Sequence, residues 1–251
     1  MENPVEQEHN AEEYEHRLVA FIDILGFSNL VNKSNDDPTY FQKLLEALKV
    51  IQHNVKHNEK KQDKENSSIE MVQFSDSIVI SRPYNSTTDF NVFIMNLNWI
   101  QKRLAEIGIL VRGGVSAGRL YHKGTIAFGP AFISAYRIES ELADFPRIVI
   151  DPQIMNYKVT PINEKIDDTK DLMGFHSFDG NRNPIILKDS DDLYFVNYLY
   201  GMYEEEEISN KLETSVLEEL KTLDPNTLHG IKVIRKLKWT LNYIKSSPWH
   251  Q

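Results

Sequence analysis

The first 120 residues carry a pattern that leaves few folds open: strand, helix, strand, strand, helix, strand. RLVAFIDIL (17–25) is continuously apolar, rich in β-branched and aromatic residues, and followed by a Gly-Phe-Ser turn, so it reads as a strand. DDPTYFQKLLEALKVIQHNVKHNEKK reads as a helix, with Pro38 near its start and Phe41, Leu44, Leu45, Leu48 and Ile51 on one face. After a charged loop, KQDKENSS, the stretch IEMVQFSDSIVISRP gives two short apolar runs joined at Ser75-Asp76, a hairpin. TTDFNVFIMNLNWIQKRLAEIG is a second helix, closed by Gly108, and ILVRGGVSAGRLYH is a long strand or a strand entering a second hairpin. This order is the split βαβ unit, an α+β, ferredoxin-like (palm-type) βαββαβ core with an antiparallel sheet. In such a unit strands one and three are neighbours, and both helices cover one face.

Within the first strand, Asp23 breaks the apolar run, and a lone buried carboxylate is expensive. The topology supplies a companion. The end of strand one and the turn between strands two and three share one edge of the sheet, which brings Asp23 and Asp76 together. Two neighbouring carboxylates repel and call for a cation. Oxygen-only ligands suit Mg²⁺ or Mn²⁺, which take one or two carboxylates plus substrate phosphates. The adjacent ILGFS offers backbone carbonyls to a metal and backbone amides to a phosphate, with Gly26 permitting close approach. Gly26, Phe27 and Ser28 are therefore candidate substrate contacts. The competing reading is that each aspartate caps a turn.

Beyond this core, GPAFISAYRIESELADF reads as a helix, RIVID as a strand and DDLYFVNYLYG as another strand, before two polar-rich helices at about 204–222 and 226–246. The expected organisation is an acidic tail over 1–14, a catalytic domain over 15–200 and a helical extension over 201–251. The chain has no cysteine, which excludes disulfides and thiolate metal sites and suits the cytoplasm. A net charge of −9 argues against general nucleic-acid binding, and no apolar run reaches the length of a membrane span. Arg112 is expected to pair across the sheet. Arg147 and Lys188 are candidate triphosphate contacts. His53 and His57 have the i, i+4 spacing of a metal pair but read as a solvated helix face. GGVSAG matches neither a dinucleotide fingerprint nor a P-loop and is read as a strand turn beside an interface.

Four segments in succession, FIDILGFS, QFSDSIVI, VRGGVSAGRL and GPAFISAYRIE, resemble the signatures of class III nucleotide cyclase catalytic domains, over roughly residues 16–152. Within that family the chain looks most like the compact bacterial pyrimidine cyclases of the Pycsar antiphage systems. The resemblance implies that Asp23 and Asp76 bind two divalent metal ions, Mn²⁺ or Mg²⁺, with Ile24 contributing a carbonyl. It implies that Arg137 stabilises the transition state, reaching across a homodimer to the aspartates of the other chain. Where purine cyclases carry polar residues that read the base and hold the ribose, this chain has Val72, Ile126 and Ile133. The expected reaction is cyclisation of a pyrimidine nucleoside triphosphate, UTP ahead of CTP, to a 3′,5′-cyclic nucleotide that a separate effector reads. The rival expectations are a nucleotide-binding or dimerisation module without turnover, or a purine cyclase. A diguanylate cyclase is disfavoured by the absence of a Gly-Gly-acidic-acidic hairpin.

Overall fold

The computed structural model describes residues 12–61, 69–156, 184–199 and 205–246, with backbone alone for 54–61 and 205. The acidic tail up to residue 11, the greater part of the charged loop KQDKENSS and the His57 side chain lie outside the described residues. Strands β1 (Glu15–Ile24), β2 (Glu70–Phe74), β3 (Ser77–Pro83) and β4 (Val111–Lys123) line up in the order β2-β3-β1-β4, each antiparallel to its neighbour. Strands one and three are thus adjacent, as the split βαβ pattern requires. Between β1 and β2 in sequence lie α1 (Phe27–Ser34) and α2 (Pro38–Lys61), and between β3 and β4 lies α3 (Thr87–Glu106). The sheet continues past β4 through β6 (Ile148–Ile150), parallel to β4, and then β8 (Tyr194–Val196) and β7 (Ile186–Lys188), while β5 (Ile126–Phe128) pairs with the far end of β4. The result is an α+β protein with a mixed open sheet.

The two faces of the sheet follow from the two-residue period of β1. Leu18, Ala20, Ile22 and Ile24 face α2 and α3, where Ala47, Ile51, Phe90, Phe93 and Leu97 complete the main core. Val19 and Phe21 face the other way, onto α4 (Pro130–Arg137), whose Ala131 and Ala135 are buried there. Asp23 continues that second row. Phe41, placed by its spacing on the buried face of α2, is instead exposed, and Ala47 occupies the core. α3 begins at a capping box of Ser86 and Asp89 and stops before Gly108, which lies at φ 68. Glycine in the long strand serves packing rather than turning. β4 runs unbroken through Gly113 and Gly114, and a Cβ on Gly114 would lie 2.3 Å from the Ala135 carbonyl oxygen, so this glycine lets α4 touch the sheet.

After α5 (Pro152–Met155), the chain ends in two helices, α6 (Glu205–Thr222) and α7 (Leu228–Lys245). They are no loose appendage: Leu212, Val216, Leu237, Tyr243 and Ile244 share a second core with Ala105 of α3 and Phe195 of β8. No described helix is long and apolar enough to cross a membrane.

Candidate functional site

Asp23 ends the row of β1 that faces α4, and the hairpin carrying Asp76 folds against it. The backbone N–H of Ile24 donates to the Asp76 carbonyl at 3.1 Å, and the Asp76 charge acts on Asp23. Ser75, first of the two turn residues, adopts φ 56, the left-handed conformation that suits a tight hairpin between twisted strands. The structure therefore brings together Asp23, Ile24 and Asp76.

What steadies Asp23 is Arg112, its direct partner across β1 and β4. Arg112 Nε donates to Asp23 Oδ2 at 3.3 Å, and Arg112 Nη2 lies 2.7 Å from Oε1 of Glu139. Glu139 stands in a π-helical turn, Ile138–Leu142, closed by the Ala143 N–H donating to the Ile138 carbonyl. Its carboxylate is buried, and the ion pair leaves Oε1 without a hydrogen-bond partner of good geometry among the described residues. Burial pushes the Asp23 carboxyl up against the opposing pull of Arg112, and Asp76 adds to the rise. Burial likewise raises Glu139. Lys236 of α7 acts on both carboxyls, and burial followed by the charge of Arg112 pushes its ammonium down. Sequence reasoning placed Arg112 in a cross-sheet pair but missed Glu139 and Lys236; a Glu two residues past Arg137 was the only signal for the former.

Directly after β1, Gly26 takes φ 72 and serves as the N-cap of α1 without a side-chain cap. A Cβ there would meet nothing within 4 Å, so the glycine is required by its backbone angle and faces open space. The first N–H groups of α1, including those of Phe27 and Ser28, lie at the positive end of a helix dipole. Beside this turn opens a cavity of about 620 Å³, bounded by Leu25 and Gly26, by α1 and α2, by residues 108–110 ahead of β4, and by α6 and α7. A shallower hollow of about 360 Å³ between Glu12, Glu13, Arg119 and Phe128 lies at the other end of β1, away from these carboxylates.

The remaining candidates separate. Arg137 ends α4 and is exposed. Among the described residues no hydrogen bond or ion pair joins Arg137 to Asp23 or Asp76. Lys188 lies on the edge strand β7, paired with Asp192 at 2.7 Å. It stands four strands from β1 and level with Ala20, about 19 Å across at the usual strand spacing. Lys188 therefore does not stand beside Asp23 in the same chain. Arg147 is fully buried, ion-paired with Asp189 and Asp191 and flanked by Phe145, Phe195 and Trp239, so it is a structural clamp rather than a triphosphate ligand. His53 is exposed on α2. Val72 is packed under α4 with Val19, Val79 and Leu120, whereas Ile126 and Ile133 are exposed.

The donor chemistry at Asp23, Asp76 and the Ile24 carbonyl is all oxygen, which fits a hard divalent cation. No group of three or more His, Cys, Asp or Glu side chains among the described residues could hold a metal. A cation here would complete its shell with water and a phosphate-bearing ligand, as Mg²⁺ commonly does. No protein-family model matches the chain, and no curated protein matches it significantly.

Proposed function

We propose that the protein is a metal-dependent nucleotide cyclase acting on a pyrimidine nucleoside triphosphate, UTP ahead of CTP. The observation that carries this reading is the meeting of Asp23 and Asp76, from different strands, beside an uncapped helix N-terminus and a nucleotide-sized cavity. The palm-type strand order and the four cyclase-like segments support it.

On this reading Asp23, Asp76 and the Ile24 carbonyl would hold two divalent ions, whose chemistry would be to lower the pKa of the attacking 3′-hydroxyl and to neutralise phosphate charge. The residues of the chain do the rest. Gly26 lets the backbone approach the triphosphate, and the N–H groups of Phe27 and Ser28 donate to its oxygens. Arg112 holds Asp23 in place, and Glu139 gives its guanidinium a second carboxylate to rest on. Val72, sealed in the core, cannot read a base, so base choice falls to other residues. Arg137 serves the site of a partner chain. The exposed Ile126, Phe128, Ile133 and Tyr136 around β5 and α4 form an apolar patch of the kind a homodimer covers. The 3′-oxygen would attack the α-phosphorus in line as the bond to the β-phosphate breaks, pyrophosphate would leave, and the cyclic mononucleotide would act through a separate effector.

One observation favours a second reading. Arg112 already neutralises Asp23, so the cluster could be a settled ion-pair network in a binding module that turns nothing over. A single experiment separates the two. The protein is incubated with each nucleoside triphosphate and Mn²⁺, and the products are resolved by chromatography. A cyclic pyrimidine nucleotide, lost in both Asp23→Ala and Asp76→Ala while the variants stay folded, is the expected outcome. Nucleotide binding without product selects the module; near-normal turnover by either variant removes the aspartates from the chemistry.

A further inference from the structure

We infer that the cavity beside the Gly26 turn seats the phosphate chain of the ligand, and that the C-terminal helix α7 completes this seat with Lys232 and Lys236. The inference rests on the cyclase reading for the identity of the nucleotide, but not for the phosphate chemistry.

Charge is the first argument. The chain is acidic overall at −9, yet this one cavity gathers Lys33, Lys43, Lys232 and Lys236 against Glu218 and Glu219. Lys43 and Lys236 are partly buried, and burial pushes both ammonium groups down. Glu219 favours the Lys43 ammonium and Lys33 opposes it, while Arg112 opposes Lys236 and Asp23, Asp144 and Glu139 favour it. Cations collected at a cost in desolvation and mutual repulsion are relieved by a polyanion. Geometry is the second argument. Residues 229, 232 and 236 follow the three- and four-residue spacing of one helix face, and His229, Lys232 and Lys236 all line the cavity. The cavity starts at Gly26, the N-cap of α1, and runs along Asn29, Leu30 and Lys33 of that helix. Lys236 also acts on Asp23 and Glu139, so the cationic lining reaches the carboxylate cluster. A phosphate chain lying along these lysines would have one end beside Asp23. The volume of about 620 Å³ falls within the range of small-molecule sites, roughly 300–1,000 Å³.

The test uses inorganic tripolyphosphate and the whole chain. Calorimetry in metal-free buffer should show binding that weakens with salt. Binding should weaken by about tenfold or more in the Lys232→Gln, Lys236→Gln double variant, each lost charge-assisted contact being a strong one. Lys238→Gln, exposed on the same helix outside the cavity, should bind as wild type. Independently of any variant, tripolyphosphate should protect Lys232 and Lys236 of the unaltered protein from amine acetylation, read by mass spectrometry, and leave Lys238 reactive. Wild-type-like affinity in the double variant, no protection of the two lysines, or no binding at millimolar tripolyphosphate overturns the inference. Lysine-dependent binding by a protein that cyclises no nucleotide upholds it and sinks the cyclase reading. Cyclisation with lysine-insensitive binding overturns the inference alone.

Discussion

Single residues here are defined by their partners across the sheet more than by their neighbours in sequence. Asp23 announced itself as an anomaly in an apolar run, and its companion Asp76 followed from topology. Its actual counter-ion, Arg112, is 89 residues away and depends on the register of β1 against β4, which no local pattern encodes. Glu139 was less legible still, because its position depends on a helix widening into a π turn. At the other end of β4, His122 is buried, and its Nδ1 lies 2.8 Å from Ser81 Oγ, which accepts from Arg17 Nε at 3.0 Å. Burial, with the charge of Arg17 adding to it, pushes the imidazole down to about 4. Below pH 6.5 the unfolded chain therefore takes up a proton that the folded chain refuses. Stability from this group falls as pH drops from 6.5 toward 4, by about 2 kcal/mol in all after allowing for solvent screening. Asp23 and Glu139, raised by burial, act with the opposite sign in acid. Comparing urea denaturation from pH 7.5 to 4.5 in wild type and His122→Asn isolates the effect. The expected result is a flatter slope in the variant, and equal slopes would show that His122 titrates normally.

Among the elements, those long enough to show a period were legible: α2, α3, the β2–β3 hairpin and the two closing helices fall close to their expected bounds. The short ones were not. α1 spans eight residues with no capping side chain, and β7 spans three, so neither repeats its pattern long enough to register. The role of Gly114 also escaped, since a close helix–strand contact leaves no mark in a glycine-rich string. It yields a sharp expectation. In Gly114→Ala the new methyl would meet the Ala135 carbonyl oxygen at 2.3 Å, Ile138 Cβ at 2.7 Å and the Glu139 backbone nitrogen at 2.8 Å. α4 and the π turn must then move off the sheet, at a cost of about 1–3 kcal/mol by chemical denaturation. Because the shifted turn carries Glu139, the ion pair with Arg112 should weaken in the same variant. A loss below about 0.5 kcal/mol would mean that the α4–β4 contact yields freely.

At the scale of the whole molecule, the cavity was invisible in the sequence, since it exists only once α6 and α7 dock against the sheet end. The assignment of Arg137 to a partner's site belongs to this scale too. If Arg137 serves a partner chain, Arg137→Ala should lower kcat by about 10³-fold or more, as arginines do in related phosphoryl transfers. Co-expressing Asp23→Ala with Arg137→Ala should then restore activity. In a mixed dimer one composite site carries both lesions and the other carries none, so recovery should approach about one quarter of wild type at equal total protein. No recovery in a preparation shown by mass spectrometry to contain heterodimers would mean that both groups act within one chain or that Arg137 is not catalytic. Finally, α7 is moored by Trp239, whose Nε1 donates to Asp189 at 2.9 Å and whose ring stacks on Phe145 and Tyr243. Asp189 is also a partner of the buried Arg147, and Lys236 lies one turn before the mooring. The indole thus shares a carboxylate with the buried clamp and a helix with the lysine that reaches Asp23. With Trp99 and Trp249 replaced by phenylalanine, its fluorescence becomes an optical gauge of whether the last helix is seated, legible without attaching any dye.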